Sequence, residues 1–376
     1  MLGVHGKGGP AMTVPPQTPM LDQRPSKALI IALVLSGLLA LGVLAVLLLS
    51  GGPVGFGLSA LLAIAPLPVL LAAVLSLDRL EPEPKLHLAF SFSWGAGVAV
   101  GLAILLSVVG IELFARAGYG QQAVNLISAV VLAPVIEEAL KGAALLLLLR
   151  RRREIDGLTD GIVYASMAGL GFATVENVGY YLTAFGEEGA GAAFQLFVIR
   201  GLIDPLGHPV YTSMIGVGVA YALTRRNAAR FAAIPLGYLG AVFLHALWNG
   251  AASSGSLAAV AGAYLVIMLV LIGLIVITVV ERRQLVSRMG AYLPLYGHTG
   301  LVTEQDVGML TTIAARRAAR KWARGAGLGR EMSDYQQAAT ELTMLHLRAE
   351  RERTDPARFA VERDLLLGAM ARARRW

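Results

Sequence analysis

Eight stretches of the chain are almost continuously apolar, at about 28–50, 54–76, 88–112, 122–149, 158–184, 191–223, 231–252 and 257–280. A hydrocarbon core about 30 Å thick needs roughly 20 apolar residues at about 1.5 Å rise each, so every run is long enough to cross a bilayer. The sixth run exceeds one straight span. Asp204-Pro205 inside it predicts a kink or break, because proline lacks an N–H and pushes the preceding residue out of the helical region. After residue 280 the pattern changes. "TEQDVGMLTTIAARRAARKWA" (303–323), "DYQQAATELTMLHLRAERER" (334–353) and "DPARFAVERDLLLGAMARARR" (355–375) keep helical periodicity without being long apolar runs. The expected fold is an all-α polytopic membrane protein with about eight transmembrane helices. Residues 1–27 read as a disordered cytoplasmic N-terminus, 28–280 as the membrane domain and 281–376 as a small, basic, helical cytoplasmic tail. That tail either rests on anionic lipid or simply presents solvated charges, and the sequence leaves both readings open.

Composition agrees with a membrane protein. Mean hydropathy is +0.64 and only 15% of residues are charged, against roughly 25% in soluble domains. Basic residues alternate between loops. Arg79 and Lys85, the run Arg150 to Arg153, Arg225, Arg226 and Arg230, and Arg282 and Arg283 fall on one side. The other side receives Arg116 and the acidic pair Glu187 and Glu188. The positive-inside rule then places both termini in the cytoplasm. The net charge of +7 is read as basic cytoplasmic loops and no nucleic-acid partner is expected, though the basic tail keeps that second reading open. The chain has no cysteine, which excludes disulfides, thiolate metal sites and a cysteine nucleophile. The first apolar run is too long for the apolar core of a cleavable signal peptide.

Ionisable residues inside apolar spans are costly and belong in the bundle interior. Glu137, Glu138 and Lys141 lie in the fourth span, Glu176 and Asn177 in the fifth, Arg200, Asp204 and His208 in the sixth, and His245 with Asn249 in the seventh. Arg200, Asp204 and His208 are spaced to form one helical stripe, with Arg200 and Asp204 as an orienting ion pair. Phe172, Glu176 and Tyr180 share a face, as do His245 and Asn249. Glu137 and Lys141 share another, with Glu138 turned about 100° away. Four carboxylates against two cations leave negative charge to be offset by bound protons or by a divalent cation. Two imidazoles and one or two carboxylates suit zinc with an open position, although the HExxH signature is absent. A glutamate beside histidines can take a proton from water and later return one to a leaving amine, and His245 with Asn249 can donate to a developing oxyanion. These parts describe a water-activating hydrolase of an amide bond. A proton- or cation-coupled transporter would also use buried acids and histidines, but no two-fold repeat of the apolar segments accompanies them.

"EEALK" (137–141), "DGIVYASMAGLGFATVENVGYY" (160–181), "RGLIDPLGHPVYTSMIGVGVAYA" (200–222) and "HALWN" (245–249), in that order, resemble the PrsW-type intramembrane proteases. This family is related to the CAAX-prenyl protease and bacteriocin-processing membrane proteases. The proline-acidic loop "LDRLEPEP" (77–84) is also similar, and the resemblance covers about residues 60–255. It implies a membrane protease domain in a bacterial plasma membrane, with a membrane-anchored anti-sigma factor as the class of substrate. Carried over by motif, Glu137, Glu138, His245 and Asn249 are catalytic, and Glu176, His208 and His245 are candidate metal ligands. Lys141, Arg200 and Asp204 have electrostatic roles. Zinc dependence and a metal-free glutamate mechanism both remain compatible with the motifs.

Overall fold

The computed structural model describes residues 26–80, 82–148, 155–351, 355–374 and 376. The N-terminal 25 residues and the run Arg150 to Arg153 lie outside the described residues. Among the described residues, nine helices precede the tail. They are α1 (Lys27–Ile64), α2 (Leu67–Leu75), α3 (Lys85–Arg116), α4 (Gln121–Leu148), α5 (Leu158–Glu188), α6 (190–203), α7 (Gly207–Thr224), α8 (Arg230–Ser253) and α9 (Leu257–Tyr292). Among the described residues there is no strand.

Among the described residues, six helices are long and apolar enough to cross a membrane, against the expected eight. The difference has two physical causes. The first two expected spans form one 49-residue stretch, Lys27–Leu75, bent at Gly52, which takes φ 67° and ψ 170° ahead of Pro53. Glycine tolerates that backbone and proline cannot continue the hydrogen-bond ladder. Both limbs meet the same end of α5: Leu47 reaches Gly179, and Gly55 faces Leu182 and Phe185. The expected sixth span is divided at Asp204 (φ −119°, ψ 54°) into α6 and α7, neither of which is long and apolar enough on its own.

Helix α5 is the central column. Of its most apolar window 89% is buried, whereas the corresponding share for the other five spans is 6–28%, so those helices present their remaining apolar surface outward, as a bilayer requires. Its neighbours approach closely because small residues line it. A Cβ on Gly161 would sit 2.2 Å from the Gly216 carbonyl oxygen, and one on Gly171 would sit 2.0 Å from that of Phe92. Only a missing side chain permits such backbone contact. The free N–H groups at the foot of α5 are met by Glu281 of α9, which accepts from Leu158 N at 3.0 Å and Thr159 N at 2.8 Å. This fixes the height of α5 relative to α9.

Beyond α9 come a 3-10 turn (Leu293–Thr299) and α10 (Glu304–Leu310), α11 (Ile313–Gly325), α12 (Gly329–Arg351) and α13 (Pro356–Ala373). They close over their own core, which includes Met289, Leu293, Leu310, Tyr335, Leu342 and Met370. This unit is clipped to the membrane helices. Arg316 reaches the Leu80 carbonyl at 3.2 Å and Arg348 pairs with Asp156 at 3.1 Å.

Candidate active site

Pro134 shapes the first wall of the site. Just before it, Ser128–Leu132 widens into a π-type turn, and Ala133 N–H bonds Ser128. The next carbonyl in that register, Ala129, would need the N–H that Pro134 lacks. Asn249 of α8 supplies it, donating from Nδ2 to Ala129 at 2.8 Å. Tyr238, also on α8, donates to the Val135 carbonyl at 2.8 Å, and Trp94 of α3 to the Leu140 carbonyl at 2.8 Å. These contacts lock the helix that carries Glu137, Glu138 and Lys141 between α3 and α8.

All three of those charged side chains are buried. Lys141 Nζ donates to Glu138 Oε1 at 2.8 Å, to Glu137 Oε2 at 3.2 Å and to His208 Nδ1 at 2.8 Å, and it lies 3.9 Å above the Phe172 ring centre. An ammonium has three hydrogens and no lone pair, so all three are used. Although Glu138 lies about 100° from Glu137 around the helix, one lysine serves both. Glu138 is further held by Thr212 Oγ1 at 2.8 Å and His245 Nδ1 at 3.0 Å. It is fully enclosed and does not reach the cavity wall.

The partners fix the histidine tautomers. His245 donates from Nδ1 to the Glu138 carboxylate, which leaves the Nε2 lone pair free, 3.9 Å from Glu137 Oε2. In that form His245 is an acceptor or ligand at Nε2, not the oxyanion donor expected from the sequence. Its ring stacks on Tyr211 with centroids 5.2 Å apart. His208 accepts from Lys141 at Nδ1, so Nε2 carries the hydrogen and donates to Glu176 Oε2 at 3.0 Å.

Arg200 does not pair with Asp204. It donates to Glu176 Oε2 at 2.5 Å and to Asn177 Oδ1 at 2.6 Å, with its guanidinium 4.0 Å from the Tyr180 ring centre. The expected stripe requires a continuous helix. The π-type turn at Val198–Ile203 and the break at Asp204 turn Arg200 toward α5 instead. Asp204 lies near Tyr211 (3.5 Å), and its Oδ1 is buried with no hydrogen-bond partner among the described residues.

These groups surround a cavity of about 220 Å³ lined by Glu137, Glu176, Asn177, Tyr180, Arg200, Asp204, His208, Tyr211, His245, Trp248 and Asn249. Residues from four expected spans thus meet at one point, with Glu138 and Lys141 just behind the wall. Tyr211 and Thr212 were not singled out from the sequence. The signal was available, since they fall three and four residues after His208 on the same helix.

Glu137, His208 and His245 can each offer a ligand atom, all within 4.8 Å of one another. Bonds of about 2.1 Å to a tetrahedral zinc would place ligand atoms about 3.4 Å apart, so a separation of 3.9 Å between His245 and Glu137 needs only slight closure. His245 is ready, with Nε2 free and Nδ1 oriented by a carboxylate, the usual outer-shell support of a ligating imidazole. His208 fits only after two coupled changes: its proton moves from Nε2 to Nδ1, which breaks the hydrogen bond to Glu176, and Lys141 withdraws the hydrogen it now donates to Nδ1. Glu176 itself is occupied by Arg200 and stands outside this group.

A model of the PrsW family intramembrane metalloproteases matches residues 83–275, just over half the chain. A protein named protease PrsW from Clostridioides difficile (strain 630) is 30% identical over 156 residues, 42% of this chain and 62% of that protein. The chain therefore spans less than two thirds of that relative's length. Proteins of the same name from Geobacillus kaustophilus and Oceanobacillus iheyensis are 28% and 26% identical, each over 50% of this chain and over 76% and 79% of their own lengths. No solved structure matches. Since the family match extends from the start of α3 well into α9, and so contains every residue lining the cavity, the chain belongs to the PrsW family of intramembrane metalloproteases.

Proposed function

We propose that this protein is an intramembrane peptidase that hydrolyses a peptide bond in or near the membrane segment of a protein substrate. One observation carries the reading. Glu137 and the free Nε2 of His245 face the same small polar cavity, enclosed by helices whose outer surfaces are apolar. Membrane-buried acids and imidazoles are too costly to be incidental.

In this mechanism Glu137 takes a proton from water as its oxygen bonds to the scissile carbonyl carbon. The same carboxyl then delivers that proton to the amine as the C–N bond breaks. Lys141 moderates the charge on Glu137 without entering the cavity. Asn249 spends one amide hydrogen on Ala129 and keeps the second for the developing oxyanion. Glu138 positions His245 and does not exchange protons with substrate. Zinc, held by His245 and His208 beside Glu137, would polarise the carbonyl and lower the pKa of water, leaving Glu137 to handle the proton. Its two positive charges would also offset the surplus of carboxylates. Tyr211 keeps the His245 ring in plane, and Arg200 anchors Glu176.

The substrate class implied by the resemblance is a membrane-anchored anti-sigma factor, in a bacterial plasma membrane with both termini of the protease in the cytoplasm. A coupled transporter is the weaker reading, because the charged groups gather around one cavity instead of following a path through the bundle. The test is purification in detergent, metal quantification by mass spectrometry, and incubation with single-span membrane peptides. About one zinc per chain, with cleavage lost in His245→Ala, supports the proposal. Cleavage by metal-free protein that resists chelators supports the glutamate mechanism without zinc.

A further inference from the structure

Outside the cavity, α11 carries a stripe of like charges. Arg317, Arg320, Lys321 and Arg324 lie within one sector of about 100° on the helix circumference, at about 100° per residue. Arg317, Lys321 and Arg324 are exposed and Arg320 is half-buried. None of the four forms an ion pair among the described residues, whereas Arg330, Arg348, Arg358, Arg363 and Arg374 of the same unit all do. Burial and the neighbouring charges of Arg317 and Arg324 push the Arg320 guanidinium below its ordinary value. Folding has gathered like charges here without providing a counter-charge.

The position of the helix identifies the partner. Arg316, on the same helix, is buried and donates to the Leu80 carbonyl at 3.2 Å, and also to Thr340 and Gln336 of α12. Leu80 follows the end of α2 at Leu75 by five residues, so it lies within about 18 Å of that helix end even fully extended. From Arg317 to Arg324 the helix advances only about 10.5 Å. The stripe is therefore tethered within a few tens of ångströms of the end of a membrane helix, close enough for the unit to settle onto headgroups whose potential acts over a Debye length of about 8–10 Å. A partner from solution has to diffuse to this site, whereas lipid is already there at high effective concentration.

We propose that the basic stripe of α11 is a docking surface for anionic phospholipid headgroups, seating the C-terminal unit on the membrane that holds the protease domain. The polar tail is thereby a lipid-contacting part of the molecule, independent of the chemistry in the cavity.

The test uses the full chain in nanodiscs of phosphatidylcholine alone or mixed with phosphatidylglycerol. Because the chain has no cysteine, Ala314→Cys provides a single labelling site on the exposed side of α11, next to the stripe. A fluorophore there is read by quenching from a lipid spin-labelled on its headgroup. Quenching is expected to rise about two-fold or more when anionic lipid is present. The rise is expected to vanish near 1 M salt, where the Debye length is about 3 Å. It should also vanish when Arg317, Arg320, Lys321 and Arg324 are all changed to Gln. Native mass spectrometry should show phosphatidylglycerol retained by the wild type and lost from that variant. Equal quenching in both lipid compositions overturns the proposal, as does a rise that survives the four changes. Retention of nucleic acid or an acidic protein by the stripe with no lipid-dependent rise also overturns it.

Discussion

Replacing Lys141 with methionine keeps much of the side-chain volume and removes the charge. The structure shows what that leaves behind. Glu138 loses a contact of 2.8 Å, Glu137 one of 3.2 Å and His208 one of 2.8 Å, at a position with no solvent exposure. Breaking a buried ion pair by removing one partner costs about 3–5 kcal/mol, because the other charge stays buried and uncompensated. Here two carboxylates are orphaned, so the upper part of that range is expected. The assay is reversible unfolding of Lys141→Met in mixed micelles, followed by far-ultraviolet circular dichroism. Adding Glu138→Gln removes one orphaned charge and should recover part of the loss, which separates an electrostatic cause from a packing one. A loss below about 1 kcal/mol, the scale of an exposed pair, would refute the reasoning. So would a double variant less stable than the sum of the two single changes.

Three further outcomes follow from the geometry. Thr212→Val deletes the 2.8 Å hydrogen bond to Glu138 and should cost about 1.5–3 kcal/mol in the same unfolding assay, as expected for a bond to a charged group. Gly171→Ala places a methyl 2.0 Å from the Phe92 carbonyl oxygen, so α3 and α5 must separate, with a loss of about 1–3 kcal/mol or more. Glu138→Gln weakens the orientation of His245, and zinc affinity measured by competition with a chelator should fall about 10–100-fold.

Much of the site was legible in the sequence because hydrocarbon makes polar residues conspicuous. Glu137, Glu138, Glu176, His208 and His245 stood out for that reason; all but Glu138 line one cavity, and Glu138 sits directly behind its wall. The break at Asp204 was likewise signalled by Asp204-Pro205, whereas the bend at Gly52 fell in the gap between two expected spans. Pairing was less legible. Periodicity on one helix suggested Arg200 with Asp204, but a π-type turn changes the register and a residue on α5 takes the arginine. The contact between Lys141 and His208 joins residues on different helices, and no spacing rule reaches across 67 positions. Thr212 and Tyr211 were overlooked although they follow His208 by four and three residues, because a threonine and a tyrosine in an apolar helix draw attention only through that spacing.

The division of labour between the two adjacent glutamates is the point most worth testing directly. Cleavage of one single-span peptide should be measured for Glu137→Gln and Glu138→Gln, both with excess zinc. Glu137→Gln is expected to lose about a hundred- to ten-thousandfold in rate, the contribution of a general acid–base group, with no recovery on adding zinc. Glu138→Gln, which acts through His245, is expected to regain much of its rate as zinc refills the weakened site. Full activity in Glu137→Gln, or irreversible loss confined to Glu138→Gln, would contradict the assignment.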